Sequence, residues 1–203
     1  MGYFSQAGSL LTSVIFGILI LIVMLRLLMQ AVRADFHNPL SQGIYRLTNP
    51  MIVPFRKFVP AYRSVDLPTI VLLLLLQYLM LTLLNLISGA ELQLLRNFVE
   101  APFGLFNLLL NIYLFSILIM VIVSWIQPGG GYNPVLGLIN QIIHPIMLPI
   151  KKRIATAGGF DISPMVAIIL ITLVKMAIPF LYIAVIKTFG FAYGAFDIAV
   201  GRY

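Results

Sequence analysis

The sequence predicts an all-α polytopic membrane protein: four transmembrane helices in two parallel tandem repeats, each repeat carrying an amphipathic interfacial helix in its cytoplasmic loop. Three observations carry that prediction. Of 203 residues, 61% are hydrophobic and only 9% charged, where a soluble domain runs at roughly 45–50% and about 25%. Four stretches are long and apolar enough to cross a bilayer, and the two long loops repeat each other at a constant offset of 95 residues. Thirteen basic and six acidic side chains cannot solvate a soluble surface of this size. Zero cysteines exclude disulfides, thiol nucleophiles and Cys-ligated metal centres.

A span needs about 20 mostly apolar residues to cross about 30 Å of hydrocarbon. Residues 9–28, 67–88, 103–126 and 165–186 qualify. The first is expected to be retained, since no base precedes it and no small-x-small cleavage site follows it. Positive charge sets the orientation. Loop 29–66 holds Arg33, Arg46, Arg56, Lys57 and Arg63, and loop 127–164 holds Lys151, Lys152 and Arg153. The other side has only Arg96, Lys187 and Arg202. Both long loops are therefore expected in the cytoplasm and both termini outside. Anionic lipid headgroups attract bases at that depth, so the net charge of +7 requires no nucleic acid. Arg26 is close enough to the end of its span to snorkel to the same face.

At the offset of 95, Asn38-Pro39 falls on Asn133-Pro134, Ile44 on Ile139, Pro50 on Pro145, Pro54 on Pro149, Lys57 on Lys152 and Asp66 on Asp161. No gap is needed. Residues 1–95 form the first unit and 96–203 the second. Two spans bring each unit back to its starting side, so the units share one orientation, with a pseudo-two-fold axis expected along the membrane normal.

Within each loop, Asn before Pro starts a helix: Asn caps free N–H groups, and Pro at the first position has no N–H to leave unpaired. Leu40, Ile44, Leu47 and Met51, and then Val135, Leu138, Ile142 and Ile146, recur at helical spacing. Ser41, Gln42, Tyr45 and Arg46, and in the second copy Asn140 and Gln141, fall opposite. Such a helix is expected to lie along the membrane interface. Pro50 and Pro54, or Pro145 and Pro149, are expected to break it. Arg56-Lys57 and Lys151-Lys152-Arg153 follow at headgroup depth. Asp66-Leu67-Pro68 and Asp161-Ile162-Ser163-Pro164 then cap the second spans, where a carboxylate favours the helix N-terminus. The motif reads either as architecture that turns and anchors the chain or as a groove for lipid or a partner.

This duplicated pattern resembles the YggT family of small membrane proteins. The second copy carries it most fully, in Ser124-Trp125-Ile126, Asn133-Pro134, His144-Pro145, Pro149, Lys151 to Arg153, Gly158-Gly159 and Asp161-Ile162-Ser163-Pro164. The first copy has Gln30 in place of the Trp, Arg63-Ser64 in place of Gly-Gly, and Asp66-Leu67-Pro68 in place of the full Asp-x-Ser-Pro. The resemblance implies a bacterial inner-membrane protein connected with tolerance of osmotic shock and with potassium balance. Related proteins in Gram-positive bacteria and plastids are linked to division, nucleoid distribution and assembly of a haem-bearing cytochrome complex. It implies no catalytic residue and no cofactor.

Polar groups inside the spans are costly and therefore informative. Lys175 lies near the middle of the fourth span, and no Asp or Glu lies in any span to pair with it. In the repeat register Gln77 aligns with Thr172, one turn from Lys175, so Lys175, Gln77 and Thr172 form a candidate intramembrane polar site. Asn107 and Asn111 add an i, i+4 polar face to the third span. Lys175 reads as a tolerated snorkelling residue or as part of a pathway. His37 and His144 occupy unrelated repeat positions without metal-site spacing, and no nucleophile, zinc or P-loop signature appears. The expectation is a non-enzymatic structural, assembly or membrane-homeostasis factor, contacting anionic headgroups and either other membrane proteins or itself. The alternative is an oligomeric channel or carrier for a small ion such as potassium.

Overall fold

The computed structural model describes residues 2–60, 66–126, 133–154 and 161–188. The sequence features at Arg63-Ser64, Gly129 to Gly131, Gly158-Gly159 and Arg202 lie outside the described residues. The described residues form six helices, α1 Tyr3–Ala31, α2 Pro39–Arg56, α3 Leu67–Ser88, α4 Leu94–Ile126, α5 Pro134–Arg153 and α6 Ser163–Thr188, and no strand. Helices α1, α3, α4 and α6 are long and apolar enough to cross a membrane. Their outward faces are apolar as well, as Leu10, Val14, Ile122, Leu173 and Phe180 illustrate. Lipid tails are as apolar as leucine, so van der Waals fit and buried hydrogen bonds hold these helices together.

Helix α3 occupies the span expected from sequence, whereas α4 starts nine residues before the expected 103. Pro102 lies inside it. A mid-helix proline removes a single hydrogen bond, here the one to the Phe98 carbonyl, and Phe98 is exposed. The added turns bury Arg96, Asn97 and Ala101. The 29-residue α1 and 33-residue α4 measure about 43 and 50 Å at about 1.5 Å per residue. Both exceed the hydrocarbon thickness, so they tilt or extend into the polar layers.

The second departure lies in α2 and α5, which do not break at their prolines. Helix α2 runs through Pro50 and Pro54 to Arg56, and α5 runs through Pro145 and Pro149 to Arg153. Prolines one turn apart fall on one helical stripe, and in both copies that stripe is exposed. The carbonyls that lose donors, at Arg46, Pro50, Gln141 and Pro145, all belong to exposed residues and can be hydrated. The side of α2 that faces the protein mixes the two faces of the helix: Ile44 and Met51 pack on the core, while Gln42 and Arg46 are exposed. Ser41, Thr48 and Ile52 are buried, whereas Leu40 and Leu47 are exposed.

Each repeat is a helical hairpin with a shorter helix against it: α1 on α3 with α2 across both, and α4 on α6 with α5 across both. Ile20, Val23, Leu73 and Ile52 lie in the first core, and Ile117, Met147, Ala167 and Ile178 in the second. Between repeats, α3 packs on α4 while α5 touches α1 and α2. The reciprocal pairs, α1 with α6 and α2 with α4, share no comparable interface. A two-fold axis makes every contact occur twice. The junction is therefore head-to-tail, in a row α1–α3–α4–α6, and the expected axis is absent. The boundary drawn between residues 95 and 96 falls in the first turn of α4.

Candidate functional site

The duplicated motif assembles at the end of the molecule where α2 and α5 begin. Asn38 Oδ1 accepts from the Leu40 N–H at 3.0 Å and Asn133 Oδ1 from the Val135 N–H at 2.9 Å, with Pro39 and Pro134 following each cap. The two Asn-Pro motifs also meet. Asn38 Nδ2 donates to the Pro134 carbonyl at 2.6 Å, and the Asp35 N–H donates to Gln141 Oε1 at 3.0 Å. Asn38 is buried and Asn133 exposed, so the contact is used from one side.

Both carboxylates of the motif form ion pairs, related by the offset of 95. Arg56 Nη2 lies 3.6 Å from Asp66 Oδ2, and Lys151 Nζ lies 3.0 Å from Asp161 Oδ2. Each pair fastens the last turn of the shorter helix to the start of the following span. The caps differ in detail. Asp161 Oδ1 accepts from the Ser163 N–H at 2.9 Å. Hydrogen bonding from Ser163, with Lys151 beside it, holds the Asp161 carboxyl below its usual range against some desolvation. Asp66 makes no side-chain cap. It is buried, and its Oδ2 accepts from the Thr69 hydroxyl at 2.7 Å. Pro68 and Pro164 occupy the first turns of α3 and α6. Of the five bases expected at lipid headgroups, Arg56 and Lys151 are thus engaged by carboxylates, while Lys57, Lys152 and Arg153 are exposed.

Arg26 does not snorkel. Helix α1 continues five residues beyond it to Ala31, and the side chain is only 3% exposed. It turns toward α2. Nη1 donates to Thr48 Oγ1 at 2.8 Å and to the Tyr45 carbonyl at 3.4 Å, and the guanidinium lies 4.4 Å from the centre of the Tyr45 ring. The stripe Ser41, Tyr45, Thr48 on α2, at spacings of four and three, was the signal that such a group would find partners.

Inside the bundle the candidate set Lys175, Gln77 and Thr172 does not assemble. Helix α4 lies between α3 and α6, so Gln77 and Lys175 address different faces of it. Lys175 Nζ donates to Asn111 Oδ1 at 2.5 Å. Thr172 is exposed and donates its hydroxyl to the Ile168 carbonyl one turn back. Gln77 is buried against Gly104, where an added Cβ would lie 2.7 Å from Gln77 Nε2.

A larger polar cluster sits nearer the far end of the same α4–α6 seam. Arg96 Nε donates to the Tyr182 hydroxyl at 2.9 Å, which donates to Glu100 Oε2 at 3.3 Å, and Arg96 itself is 3.9 Å from Glu100. Asn97 Nδ2 donates to Thr82 Oγ1 and Asn85 Nδ2 to Asn97 Oδ1, joining α3 to α4. Arg96 and Glu100 fall between the spans 67–88 and 103–126 expected from sequence, and the structure makes them part of α4. Their i, i+4 spacing was the available signal. At the corresponding place in the first repeat the Ser5 hydroxyl donates to the Ile87 carbonyl at 2.6 Å. The second repeat has thus put a charged pair where the first has a neutral bond.

The chain is similar in sequence to proteins that it covers along most of their length. An uncharacterized protein of Pseudomonas aeruginosa is 38% identical over 164 residues, which is 78% of this chain and 81% of that protein. An uncharacterized Vibrio alginolyticus protein from the proC 3' region is 34% identical, over 79% of this chain and 87% of its own. The Escherichia coli K12 protein YggT is 27% identical, over 83% and 87%. No solved structure matches the chain. Residues 5–87 and 99–182 each match the family described as CCB3/YggT, one segment per repeat, and together they cover most of the sequence. The chain is a multi-pass membrane protein of the CCB3/YggT family.

Proposed function

We propose that this protein is a non-enzymatic structural or assembly factor of the bacterial inner membrane that contributes to membrane homeostasis under osmotic stress. In this reading both basic loops lie in the cytoplasm, both termini lie outside, and α2 and α5 sit at headgroup depth as amphipathic helices. The observation that carries it is the duplicated clamp, Arg56–Asp66 and Lys151–Asp161, which ties the last turns of two short helices to the starts of the following spans. Beside the clamps Lys57, Lys152 and Arg153 stay exposed, as a surface for anionic headgroups or a membrane-protein partner requires. Structural use of the carboxylates supports the same reading. Asp35 pairs with His37, Asp66 with Arg56, Asp161 with Lys151, and Glu100 sits beside Arg96 and Tyr182. None of these four is left as an isolated acid poised for proton transfer.

The alternative reading, passage of a small ion such as potassium, draws on Lys175 and Asn111 at the α4–α6 seam. An ammonium group there opposes a cation electrostatically. Purification in mild detergent, followed by identification of what co-purifies, tests the preferred reading. A stoichiometric membrane-protein partner or retained anionic lipid is the expected result. A pure homo-oligomer that passes potassium in liposomes would replace it with the channel.

A further inference from the structure

A cavity of about 230 Å³ opens between α1 and α2, lined by Arg26, Met29, Gln30, Phe36, Tyr45 and Arg56. We propose that it binds the phosphate group of an anionic phospholipid headgroup. Two cations, two aromatic rings and no carboxylate line the pocket, and Asp66 beside it offsets one of the two charges. The balance of charge there is one positive, which complements one phosphodiester. Arg26 supplies the recognition. Tyr45 covers one face of its guanidinium, Thr48 and the Tyr45 carbonyl take Nη1, and Nη2 is buried with no hydrogen-bond partner among the described residues. A buried, charged donor without an acceptor is costly, and an arginine fork matches phosphate geometry. Phe36 and Tyr45, edge to face at 6.1 Å, wall the site with the amphipathic rings suited to the headgroup layer.

The repeat supplies an internal comparison. At the offset of 95, Arg26 corresponds to Val121, Tyr45 to Asn140 and Thr48 to Ile143, whereas Arg56 corresponds to Lys151. The second repeat keeps the clamp and lacks the pocket. Any diffuse attraction of lipid to clamp residues would act at both places, and a built site at only one.

The proposal rests on the reading that the basic loops lie at headgroup depth, and the test separates the two. Full-length protein in detergent is titrated with phosphatidylglycerol, with phosphatidylcholine as the comparison, and bound lipid is read by native mass spectrometry. Arg26→Lys keeps the charge and loses the fork. Arg56→Gln and Lys151→Gln each open one clamp. We expect Arg26→Lys and Arg56→Gln to bind phosphatidylglycerol about tenfold more weakly, the loss of one charge-assisted hydrogen bond, with Lys151→Gln unchanged. Equal weakening in Arg56→Gln and Lys151→Gln, with Arg26→Lys unaffected, overturns the pocket and leaves the lipid-contact reading standing. No preference for phosphatidylglycerol in the parent protein overturns both. Displacement of the lipid by equimolar glycerol phosphate assigns the site to a free phosphate and overturns the headgroup as its source.

Discussion

Lys175, half-buried, and Arg26, buried, show how differently two cations within the spans of one membrane protein are handled. An unpaired charge at mid-membrane costs roughly 2.5–3.5 kcal/mol on insertion scales; Lys175 offsets part of that through Asn111. Replacing Lys175 with Met keeps length and removes charge. Complementation of an osmotically sensitive strain should stay intact, and thermal stability in detergent should be unchanged or higher. Loss of complementation at normal membrane abundance would instead promote the ion-passage reading. Sequence alone made Lys175 visible, because a lysine amid leucines has no other explanation. It did not reveal the partner: Asn111 is 64 positions away, and register across α4 and α6 depends on helix rotation. Arg26 was misread for a related reason. Near a helix end, snorkelling and burial against a neighbouring polar stripe have the same local sequence, and only the position of α2 separates them.

Among elements, the contact of α3 with α4 and the two clamps are the places where one substitution has a defined consequence. Gly104→Leu should destabilise by roughly 1–3 kcal/mol, as overpacking does, because its side chain enters the space held by the Gln77 amide. The double change with Gln77→Ala should recover most of that loss, measured by thermal unfolding of both variants in one detergent. The clamps should differ in strength. Asp66 is buried and also holds Thr69, so Asp66→Asn should cost about 1–3 kcal/mol. Asp161 is 39% exposed along its side chain, so Asp161→Asn should cost under about 1 kcal/mol. Because the folded Asp161 carboxyl titrates below its unfolded value of about 3.9, its contribution is complete above that pH. It is lost as the pH falls through the folded value. A stability–pH curve in Asp161→Asn should therefore be flatter below about pH 4 than that of the parent. Helix starts at Asn38-Pro39 and Asn133-Pro134 were legible because caps act within a few residues. The persistence of α2 and α5 through their prolines was not, since it depends on which stripe of each helix faces outward.

For the whole molecule, topology is the quantity most directly measurable. Phe58 and Leu92 are exposed on the two opposite connections, and the parent has no cysteine to interfere. Membrane-impermeant thiol labelling of intact cells should modify Leu92→Cys and spare Phe58→Cys, and the converse would invert the orientation. The number of spans and the duplication were readable from length and offset, whereas the way the halves join was not. Joining depends on which side of each hairpin finds the other, and apolar faces are nearly equivalent in lipid. The head-to-tail junction has a genetic consequence. In repeats related by an axis, each junction contact has a second copy made by the corresponding residues. Here Gln77 faces Gly104, while their counterparts in the register, Thr172 and Ser9, lie at opposite outer edges of the row. A change at this junction therefore has no second contact of the same kind to share the load. One half holds its buried arginine, Arg26, at the basic end, and the other holds Arg96 at the opposite end.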